Sequence, residues 1–571
     1  MNRLPLVVAL TLAFSSSALA QIGSLQGGSI GGIQVAPSRD PGLRPTIGTA
    51  TLRGRVLTQA GTPLRRAQVT IAEGPLRRQT TTDGDGQYRF AELPAGRFLL
   101  TASKPGYVAL QYGQRGPNQP GTPVIVANGQ TVAVDIALPR GAVITGRITD
   151  EFGEPLAQAQ VQVGRLTYGP DGQRRAQTTQ ASIADDRGEF RAYGLMPGAY
   201  VVNAGVRTPV MVNAAAGNVV DVTEGFPSIY YAGTANINEA QTITLGVGEE
   251  ISIQFSLVAA RLSRVSGVVV DSSGRPAGGA QVQLVTRQGP GYTTSGGTVT
   301  PDGTFSIGGI APGEHSLEVL PISNRGSSDA PAEFASVPIV VTGQDITGLS
   351  IVTGPGATVS GRIVFDGTAP RRGAPSPMRV SSTPADPSRP PLTIGPVAAN
   401  NGEANADGNF QLAGLTGQVF FNVPVPAGWM LKSVTLDGGD ITDVPLDLTG
   451  RQSVSGLVVT LTDKLTDVSG QVVNDRGQPA TDATVILMPA EAMDPIVLSR
   501  RTRVARSMAP NGRFQIRGLR PGRYFAAVVD FLDQGGQYAP EFQKRLRQSA
   551  RELTVREAEP ITVDLRVTPG L

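Results

Sequence analysis

The sequence predicts an all-β protein made of five tandem Greek-key β-sandwich domains. Three observations lead to this fold class. One two-block pattern occurs five times, apolar residues within each block alternate with a period of two, and helical periodicity is almost absent. Equivalent glycines of successive copies lie 92 to 121 residues apart, which is the size of a sandwich of about seven strands.

The first block of each copy is a strand containing a glycine, followed by a turn and a second strand. A second glycine falls six or seven residues after the first, a proline nine after it and an alanine thirteen after it. Glycine supplies the positive φ of a tight turn, and proline presets φ near about −65°. We therefore expect the block to form a β-hairpin. The first glycines are Gly54, Gly146, Gly267, Gly361 and Gly470, the prolines are Pro63, Pro155, Pro276, Pro370 and Pro479, and the alanines are Ala67, Ala159, Ala280, Ala374 and Ala483.

The second block is a strand, a turn and a further strand with three apolar anchors. Positions are counted from the first glycine of the block. An aromatic residue occupies position plus two, Leu or Ile occupies position plus seven, and a residue with a ring side chain occupies position plus twelve. Three buried anchors per copy are what a sandwich core requires. The glycines are Gly86, Gly188, Gly303, Gly408 and Gly512, and the plus-twelve rings are Phe98, Tyr200, His315, Phe420 and Tyr524.

A closing strand completes each copy, and one short helix interrupts the pattern. The helix is predicted over Pro540–Leu553, where Phe542, Leu546 and Ala550 fall on one face. The predicted closing strands are Thr131–Leu138, Glu250–Leu257, Asp345–Val352, Ser453–Leu461 and Pro560–Val567. The predicted domains, named copies 1 to 5, are 49–140, 141–262, 263–353, 354–464 and 465–571.

The first 48 residues have the composition of export and linker segments. Residues 1–20 combine a basic start, an apolar run of Leu4–Phe14 and a small-residue end, which is the order of a secretory signal peptide. Residues 21–48, rich in Gly, Ser and Pro, are predicted to be a flexible leader. No later stretch is long and apolar enough to span a bilayer. We expect an exported protein that is periplasmic, cell-surface or extracellular.

Charge and residue counts exclude several kinds of chemistry. The chain has 49 Lys and Arg against 46 Asp and Glu, with a net charge of +3, so a nucleic-acid partner is not expected. The paired arginines Arg65-Arg66, Arg77-Arg78 and Arg500-Arg501 are interpreted as solvated strand faces. With no cysteine and one histidine, disulfides, thiolate nucleophiles and zinc sites of His and Cys cannot form.

Both blocks together resemble the carboxypeptidase regulatory-like domain, a transthyretin-like (prealbumin-like) sandwich found in tandem in secreted bacterial proteins. The residues that carry the resemblance in copy 1 are Gly54-Arg55-Val56, Gly61-Thr62-Pro63, Thr82–Phe90, Leu93–Phe98 and Lys104–Tyr107, and the series recurs over 49–571. The resemblance implies relatives among starch-binding-like and collagen-adhesin B-type modules. It therefore implies carbohydrate or surface binding and no peptidase, and we expect no cofactor.

Candidate catalytic and metal-binding residues have plainer structural interpretations. His315 occupies a slot where the other copies carry Phe or Tyr, so we interpret it as a core or rim ring and expect no catalytic residue. Asp83-Gly84-Asp85-Gly86 has the oxygen donors of a calcium loop, but Asp and Asn also form turns, and we expect no metal. Lys464 is the one lysine placed just before a first strand, that of copy 5, as a collagen-adhesin-type isopeptide bond would require, and we expect no such crosslink. A catalytic pair of carboxylates is not excluded by sequence, although none recurs outside turns.

Binding candidates are aromatic residues that depart from the repeat. Tyr230 and Tyr231 lie in the longest interval, and Trp429 follows a glycine in copy 4. Exposed rings of this kind can stack on sugars, whereas packing in the core or between domains is the alternative. The expected function is non-enzymatic binding or structure, with a polysaccharide as a possible partner. The alternative is a cell-envelope scaffold or accessory subunit that binds an envelope protein and has no glycan affinity.

Overall fold

The computed structural model describes residues 48–114, 121–206, 223–288, 291–320, 333–368, 377–386, 401–450, 452–481, 483–491, 493–508 and 511–568. The predicted signal peptide and nearly all of the leader lie outside these residues, as do Pro370 and Ala374 of copy 4. The predicted all-β sandwich fold is confirmed. Each copy contributes two main sheets and one main hydrophobic core.

The first three copies are built from β-strands joined by turns and loops. Copy 1 contains β1 (Ala50–Thr58), β2 (Gln68–Glu73), β3 (Leu76–Thr81), β4 (Gln87–Leu93), β5 (Gly96–Ser103), β6 (Leu110–Gln111), β7 (Val124–Val126), β8 (Thr131–Ala133) and β9 (Ile136–Leu138). Copy 2 contains β10 (Ala142–Thr149), β11 (Gln160–Tyr168), β12 (Arg174–Ile183), β13 (Glu189–Leu195), β14 (Gly198–Gly205), β15 (Glu224–Gly225), β16 (Ile229–Tyr230), β17 (Ile243–Leu245), β18 (Glu250–Ser256) and β19 (Ala260–Arg261). Copy 3 contains β20 (Ser263–Val270), β21 (Gln281–Gln288), β22 (Gly291–Thr298), β23 (Thr304–Ile310), β24 (Gly313–Leu320), β25 (Ala335–Val341) and β26 (Ile346–Val352).

The last two copies follow the same order with insertions. Copy 4 contains β27 (Ala357–Asp366), β28 (Arg379–Pro384), β29 (Asn401–Glu403), β30 (Asn409–Leu415), β31 (Gln418–Asn422), β32 (Met430–Leu436), β33 (Gly439–Asp440), β34 (Leu446–Asp447) and β35 (Ser453–Thr462). Copy 5 contains β36 (Asp467–Val473), β37 (Thr484–Pro489), α1 (Pro495–Arg501), β38 (Arg503–Arg506), β39 (Arg513–Arg517), β40 (Gly522–Val529), a 3-10 turn (Gly536–Tyr538), α2 (Pro540–Ser549), β41 (Arg551–Val555), β42 (Ile561–Thr562) and β43 (Leu565–Arg566).

One sheet of each copy is centred on the first strand. In copy 1, β1 pairs antiparallel with β4 and parallel with the closing strands β8 and β9. The same arrangement recurs as β13-β10-β18, β23-β20-β26, β30-β27-β35-β32-β33 and β39-β36-β42 with β43. The second sheet has the order β3-β2-β5-β6 in copy 1, and its counterparts are β12-β11-β14-β16, β22-β21-β24-β25, β29-β28-β31-β34 and β38-β37-β40-β41.

The predicted hairpin of the first block is wrong, although its turn is present. Gly61 has φ +82° and its N–H donates to the Thr58 carbonyl at 2.9 Å, while Leu57 and Pro63 form a single bridge. The next strand, β2, then pairs with β3 and β5 in the opposite sheet and not with β1. Both strands bury one face in the same core from opposite sides, so their alternation looks like that of a hairpin.

In every copy, the position of the closing strand requires a glycine in the first strand of the first block. A Cβ built on Gly54, Gly146 or Gly267 would overlap a carbonyl oxygen of the parallel closing segment, namely that of Val134, Ile253 or Leu349. Gly361 and Gly470 face Leu457 and Val563 in the same way. Because a backbone oxygen cannot rotate away as a flexible side chain can, any side chain at these positions would push the first and last strands apart.

The three apolar anchors of the second block are confirmed as core residues. Every plus-two, plus-seven and plus-twelve side chain is buried. These residues are Tyr88, Leu93 and Phe98; Phe190, Leu195 and Tyr200; Phe305, Ile310 and His315; Phe410, Leu415 and Phe420; and Phe514, Leu519 and Tyr524.

Two helices lie in copy 5. The predicted helix is confirmed as α2, with Phe542 and Leu546 buried, but it ends at Ser549 because the next residues form β41. The sequence did not predict α1, whose N-terminus is capped by Asp494 accepting from the Ile496 N–H. Arg500 and Arg501 end this helix and are partly buried, so their interpretation as a solvated strand face was wrong. Within the described residues, no helix has the length and apolar character needed to cross a membrane.

Candidate ligand groove between copies 1 and 2

The aromatic residues chosen from the sequence present little ring surface to solvent. Trp429 is 6% exposed and packs edge-on against Phe365, with the ring centroids 4.8 Å apart. Tyr230 is also 6% exposed and packs in a small cluster with Val201 and Ile237. Tyr231 is half-buried, and its ring lies edge-on to Phe255 at 5.6 Å. Trp429 and Tyr230 therefore pack against other side chains of the protein, which is the alternative to stacking on sugars.

His315 is held by hydrogen bonds at both ring nitrogens. Its Nε2 lies 2.9 Å from the Ala311 carbonyl oxygen, which can only accept, so Nε2 carries the proton. Nδ1 then accepts from the Thr286 hydroxyl at 2.8 Å. Burial lowers the pKa of His315, an effect partly opposed by the bond to Ala311. The imidazole is therefore neutral and fully engaged in structural contacts.

The other polar rings at the plus-twelve position make the same bond. The Tyr200 hydroxyl donates to the Met196 carbonyl at 2.7 Å and the Tyr524 hydroxyl to the Arg520 carbonyl at 3.0 Å. Both acceptors occupy position plus eight, as does Ala311 for His315. His315 thus replaces a core tyrosine in both packing and hydrogen bonding.

The acidic turn of copy 1 uses its carboxylate internally. Asp83 Oδ1 accepts from the backbone N–H groups of Asp85 and Gln87 at 3.0 and 2.8 Å. Asn405 makes the corresponding pair of bonds in copy 4, although its side chain is a neutral amide. This position needs an acceptor oxygen and not a charge, which favours the turn interpretation. In the part of the chain that the structure describes, no three His, Asp or Glu side chains cluster to hold a metal ion.

Lys464, just before the first strand of copy 5, forms an ion pair with a residue of copy 4. Its Nζ lies 3.7 Å from an oxygen of Asp366, in copy 4, and the side chain is 48% exposed. An isopeptide bond forms in a buried site between the first and last strands of one domain, and this lysine occupies no such site.

A groove of about 760 Å³ lies where copy 1 meets copy 2. Copy 1 contributes Gln111 and Gln114 to its wall, next to Leu99. Copy 2 contributes an edge strand that lines the groove with amides and hydroxyls, together with an aromatic ring and the end of the second block. These lining residues of copy 2 are Arg165, Gln177, Thr178, Thr179, Gln180, Tyr193, Gly194, Leu195, Met196 and Tyr200.

Tyr193 is the most exposed aromatic ring of the groove. Its side chain is 52% exposed, and its N–H donates to Gln180 Oε1 at 3.0 Å, which fixes strand β13 against β12. The groove thus combines an open ring face with glutamine and threonine side chains. Uncharged hydrogen-bonding groups around an aromatic surface suit a ligand that has many hydroxyls and an apolar face.

The charge in the groove is compensated. Arg165 is 8% exposed and is the only charged residue in the described lining. Its Nη2 donates to Asp533 Oδ1 at 3.0 Å, and its Nη1 donates to the Pro197 carbonyl at 3.0 Å. The guanidinium also lies 5.8 Å from the Tyr200 ring centroid. Because Asp533 balances it, the floor of the groove carries no excess charge.

A scan against protein families matches two segments, residues 51–139 and 264–352, to the carboxypeptidase regulatory-like domain. The chain contains carboxypeptidase regulatory-like domains. The two matched segments correspond to copies 1 and 3, whose strand order the other copies share. The groove therefore lies at one edge of the first carboxypeptidase regulatory-like domain, where it meets copy 2.

Solved structures with similar segments include two pilins and a further bacterial protein. The Bacillus anthracis TIE protein is 13% identical, with 54% of this chain and 51% of that one covered and a TM-score of 0.16, so the chain spans about half its length. A streptococcal ancillary pilin is 12% identical over 54% of this chain and 99% of its own, with a TM-score of 0.21. A point mutant of the shaft pilin SpaA of Lactobacillus rhamnosus GG is 13% identical over 37% of this chain and 98% of its own, with a TM-score of 0.18. These scores are too low to support any functional conclusion, and no curated protein matches the chain.

Sequence reasoning did not single out Tyr193, but the repeat contains a signal for it. It occupies position plus five of the second block, where the carboxypeptidase regulatory-like domains 51–139 and 264–352 carry Ala91 and Gly308. Copies 4 and 5 carry Ala413 and Arg517 there. An aromatic residue in a slot without other rings marks a surface feature of copy 2, and comparison of non-core slots would have found it.

Proposed function

We propose that the protein is an exported, non-enzymatic binding protein of five sandwich domains, with boundaries at 49–140, 141–262, 263–353, 354–464 and 465–571. Its groove between copies 1 and 2 binds an uncharged polysaccharide. The open Tyr193 ring among glutamine and threonine side chains is the observation that carries this proposal. The signal-like residues 1–20 support export. The structural role of His315 supports the non-enzymatic assignment.

Compensated charge supports a neutral ligand. An acidic glycan would need an uncompensated cation in the groove, whereas Arg165 is bound to Asp533. A neutral sugar chain instead offers hydroxyls to amide side chains and a C–H face to the tyrosine ring. Burial of the ring face against a sugar stabilises the complex, and no charged group has to be moved from water into the protein.

Affinity electrophoresis of the full chain tests this function. The gels contain starch, xylan or mixed-linkage β-glucan as neutral probes and polygalacturonate as an acidic one. We expect retention by a neutral probe and a dissociation constant about tenfold higher for Tyr193→Ala, which corresponds to loss of roughly 1.4 kcal/mol. Phe152→Ala is the matched control because Phe152, 85% exposed, lies on the same copy at a turn outside the groove.

Other outcomes contradict the proposal in distinct ways. Retention by polygalacturonate alone would contradict the neutral ligand class. Equal retention of the Tyr193→Ala and Phe152→Ala variants would show that the binding site lies outside the groove. Retention by no probe, combined with a crosslinked envelope protein in cells, would favour the protein-binding scaffold instead.

A further inference from the structure

Three arginines of copy 5 converge at the junction with copy 4. Arg500 and Arg501 end helix α1, and Arg520 lies before strand β40. We call Arg500, Arg501 and Arg520 the junction arginines. Two of them contact copy 4 directly, so this cluster spans two copies.

Arg500 and Arg520 each contact copy 4 in a different manner. The Arg500 guanidinium lies 4.2 Å from the ring centroid of Phe420 and donates to Asn422 Oδ1 at 3.4 Å. Arg520 Nη1 donates to Asp443 Oδ2 at 2.6 Å. Stacking and ion pairing hold both guanidinium groups at the boundary between the copies.

Arg501 is bound within copy 5. Its Nη2 donates weakly to the Tyr524 hydroxyl and to the Pro521 carbonyl, both at 3.5 Å. In copy 2, Arg165 contacts the equivalent tyrosine and proline but also has the carboxylate of Asp533. No acidic partner is found for Arg501 among the described residues, so this guanidinium resembles that of Arg165 with the anion removed.

Among the residues that the structure describes, each junction arginine has a buried N–H without an acceptor. These atoms are Arg500 Nε, Arg501 Nε and Arg520 Nη2. An unsatisfied buried donor costs about 1–3 kcal/mol, and more when the group is charged. Three such donors on neighbouring side chains are an unusual concentration, and a bound water or ion is a common explanation for such groups.

The local charge is also uncompensated. Burial is the main cause of the lowered pKa of Arg500 and of Arg520, and each of these pKa values is lowered further by another junction arginine. Asp443 opposes the shift for both, and Asp440 opposes it for Arg520, whereas Arg503 adds to the positive field at Arg500. Four arginines thus face two aspartates, which leaves an excess of positive charge at the junction.

We propose that the junction arginines form a binding site for an oxyanion, either a carboxylate or a phosphate, that links copies 4 and 5. The anion's oxygens accept from the N–H groups that lack partners, and its charge offsets the excess of guanidinium groups. Planar guanidinium donors match the paired oxygens of such anions. The unpartnered N–H groups lie below the surface, so binding includes a rotation of the guanidinium planes. This site is independent of the groove and of the proposed function.

Calorimetric titration of the full chain with inorganic phosphate tests the site. Oligogalacturonate serves as a carboxylate probe from a glycan source, and sodium chloride at matched ionic strength is the salt control. We expect saturable phosphate or oligogalacturonate binding that weakens at least tenfold in Arg500→Met and Arg501→Met. Methionine keeps most of the apolar stem of the arginine, and neither change breaks the Arg520–Asp443 ion pair. Arg513→Met is the matched control because Arg513 is exposed on β39 of the same copy.

Hydrogen exchange keeps the test valid if a variant is destabilised. We expect the anion to slow exchange of α1 and of β31, which carries Phe420 and Asn422, in the wild-type chain only. An unchanged core strand β36 shows that copy 5 of each variant remains folded. Absence of saturable binding, or equal binding by the Arg513→Met and junction variants, would overturn the proposal. Preference for phosphate over oligogalacturonate, or the reverse, identifies the source of the oxyanion.

Discussion

The glycine of the first strand has no room for a side chain in any of the five copies. At Gly267 a Cβ would overlap the Leu349 carbonyl, and the parallel pairing of β20 with β26 would have to separate. Nearby Gly308, in β23, has open space at its Cβ position and no positive φ. The two glycines of one copy therefore differ in what a single methyl group would encounter.

We predict that Gly267→Ala destabilises copy 3 by about 3 kcal/mol, at the upper end of the cost of over-packing. Native-state hydrogen exchange of β20 and β26 measures the change. Gly308→Ala is the control and should alter stability by less than about 1 kcal/mol in either direction. Similar losses for both variants would mean that the closing strand yields to the added methyl group.

His315 confers a pH dependence whose sign follows from its burial. The lowered pKa in the folded state means that, below about pH 6.5, the unfolded chain takes up the proton more readily. Stability from this residue is complete above that pH and is lost as the pH falls through the folded-state pKa. We predict that His315→Tyr, which restores the ring of copies 2 and 5, reduces this loss.

Two measurements check the His315 prediction. Urea unfolding of copy 3 at pH 7.5 and 5.5 compares the variant with the wild type, and carboxylates common to both proteins cancel. Because the chain has one histidine, its NMR titration is unambiguous and should give a pKa below 6.5 with the proton on Nε2. An elevated pKa would contradict the neutral, buried assignment.

At the scale of elements, the sequence predicted positions better than pairings. The closing strands, the turns and the fifteen anchor residues follow from period-two alternation and glycine spacing, because these depend on local chemistry. Alternation shows which face of β1 and β2 is buried but not whether the two strands pair. The arch that separates them depends on the later strands β4 and β5. The groove was missed for a related reason, since Gln111 and Tyr193 meet only through the placement of two copies.

Helix α2 should be separable from the sandwich that it covers. Leu546 is fully buried in a small second core with Ile486, Leu498 and Phe542, outside the main core of copy 5. We predict that Leu546→Ala costs about 2–5 kcal/mol locally and speeds hydrogen exchange of α2. The exposed neighbour Lys544 provides the control variant Lys544→Ala. If β36 loses protection together with α2, the two cores unfold as one unit.

At the scale of the whole molecule, contacts join copies that are distant in sequence. Backbone hydrogen bonds link adjacent copies, as between the Gly141 N–H of copy 2 and the Gly106 carbonyl of copy 1 at 3.1 Å. Arg165 and Asp533 also bring copies 2 and 5 together across 368 residues. The Arg165 side chain is 9% exposed and that of Asp533 is 49% exposed, so solvent screening limits the strength of the pair.

We predict a coupling free energy of about 1 kcal/mol between Arg165 and Asp533. A double-mutant cycle of Arg165→Met and Asp533→Asn, measured from hydrogen exchange of copy 2, provides the value. The cycle of Arg191 and Glu250, an exposed pair within copy 2, is the reference for a local surface contact. Strict additivity of the first cycle would contradict a contact between copies 2 and 5.

The parallel pairing of first and last strands also determines when a copy can fold. Thr51 is opposite Thr131 and Val143 is opposite Glu250, so the parallel pairing in each copy joins residues that are far apart in the chain. The arch after the first strand offers no local hairpin on which the sheet could start. Such non-local topology slows folding, because loop-closure entropy is lost before native contacts form. A nascent copy that lacks its closing strand therefore cannot complete its first sheet until its last residues emerge.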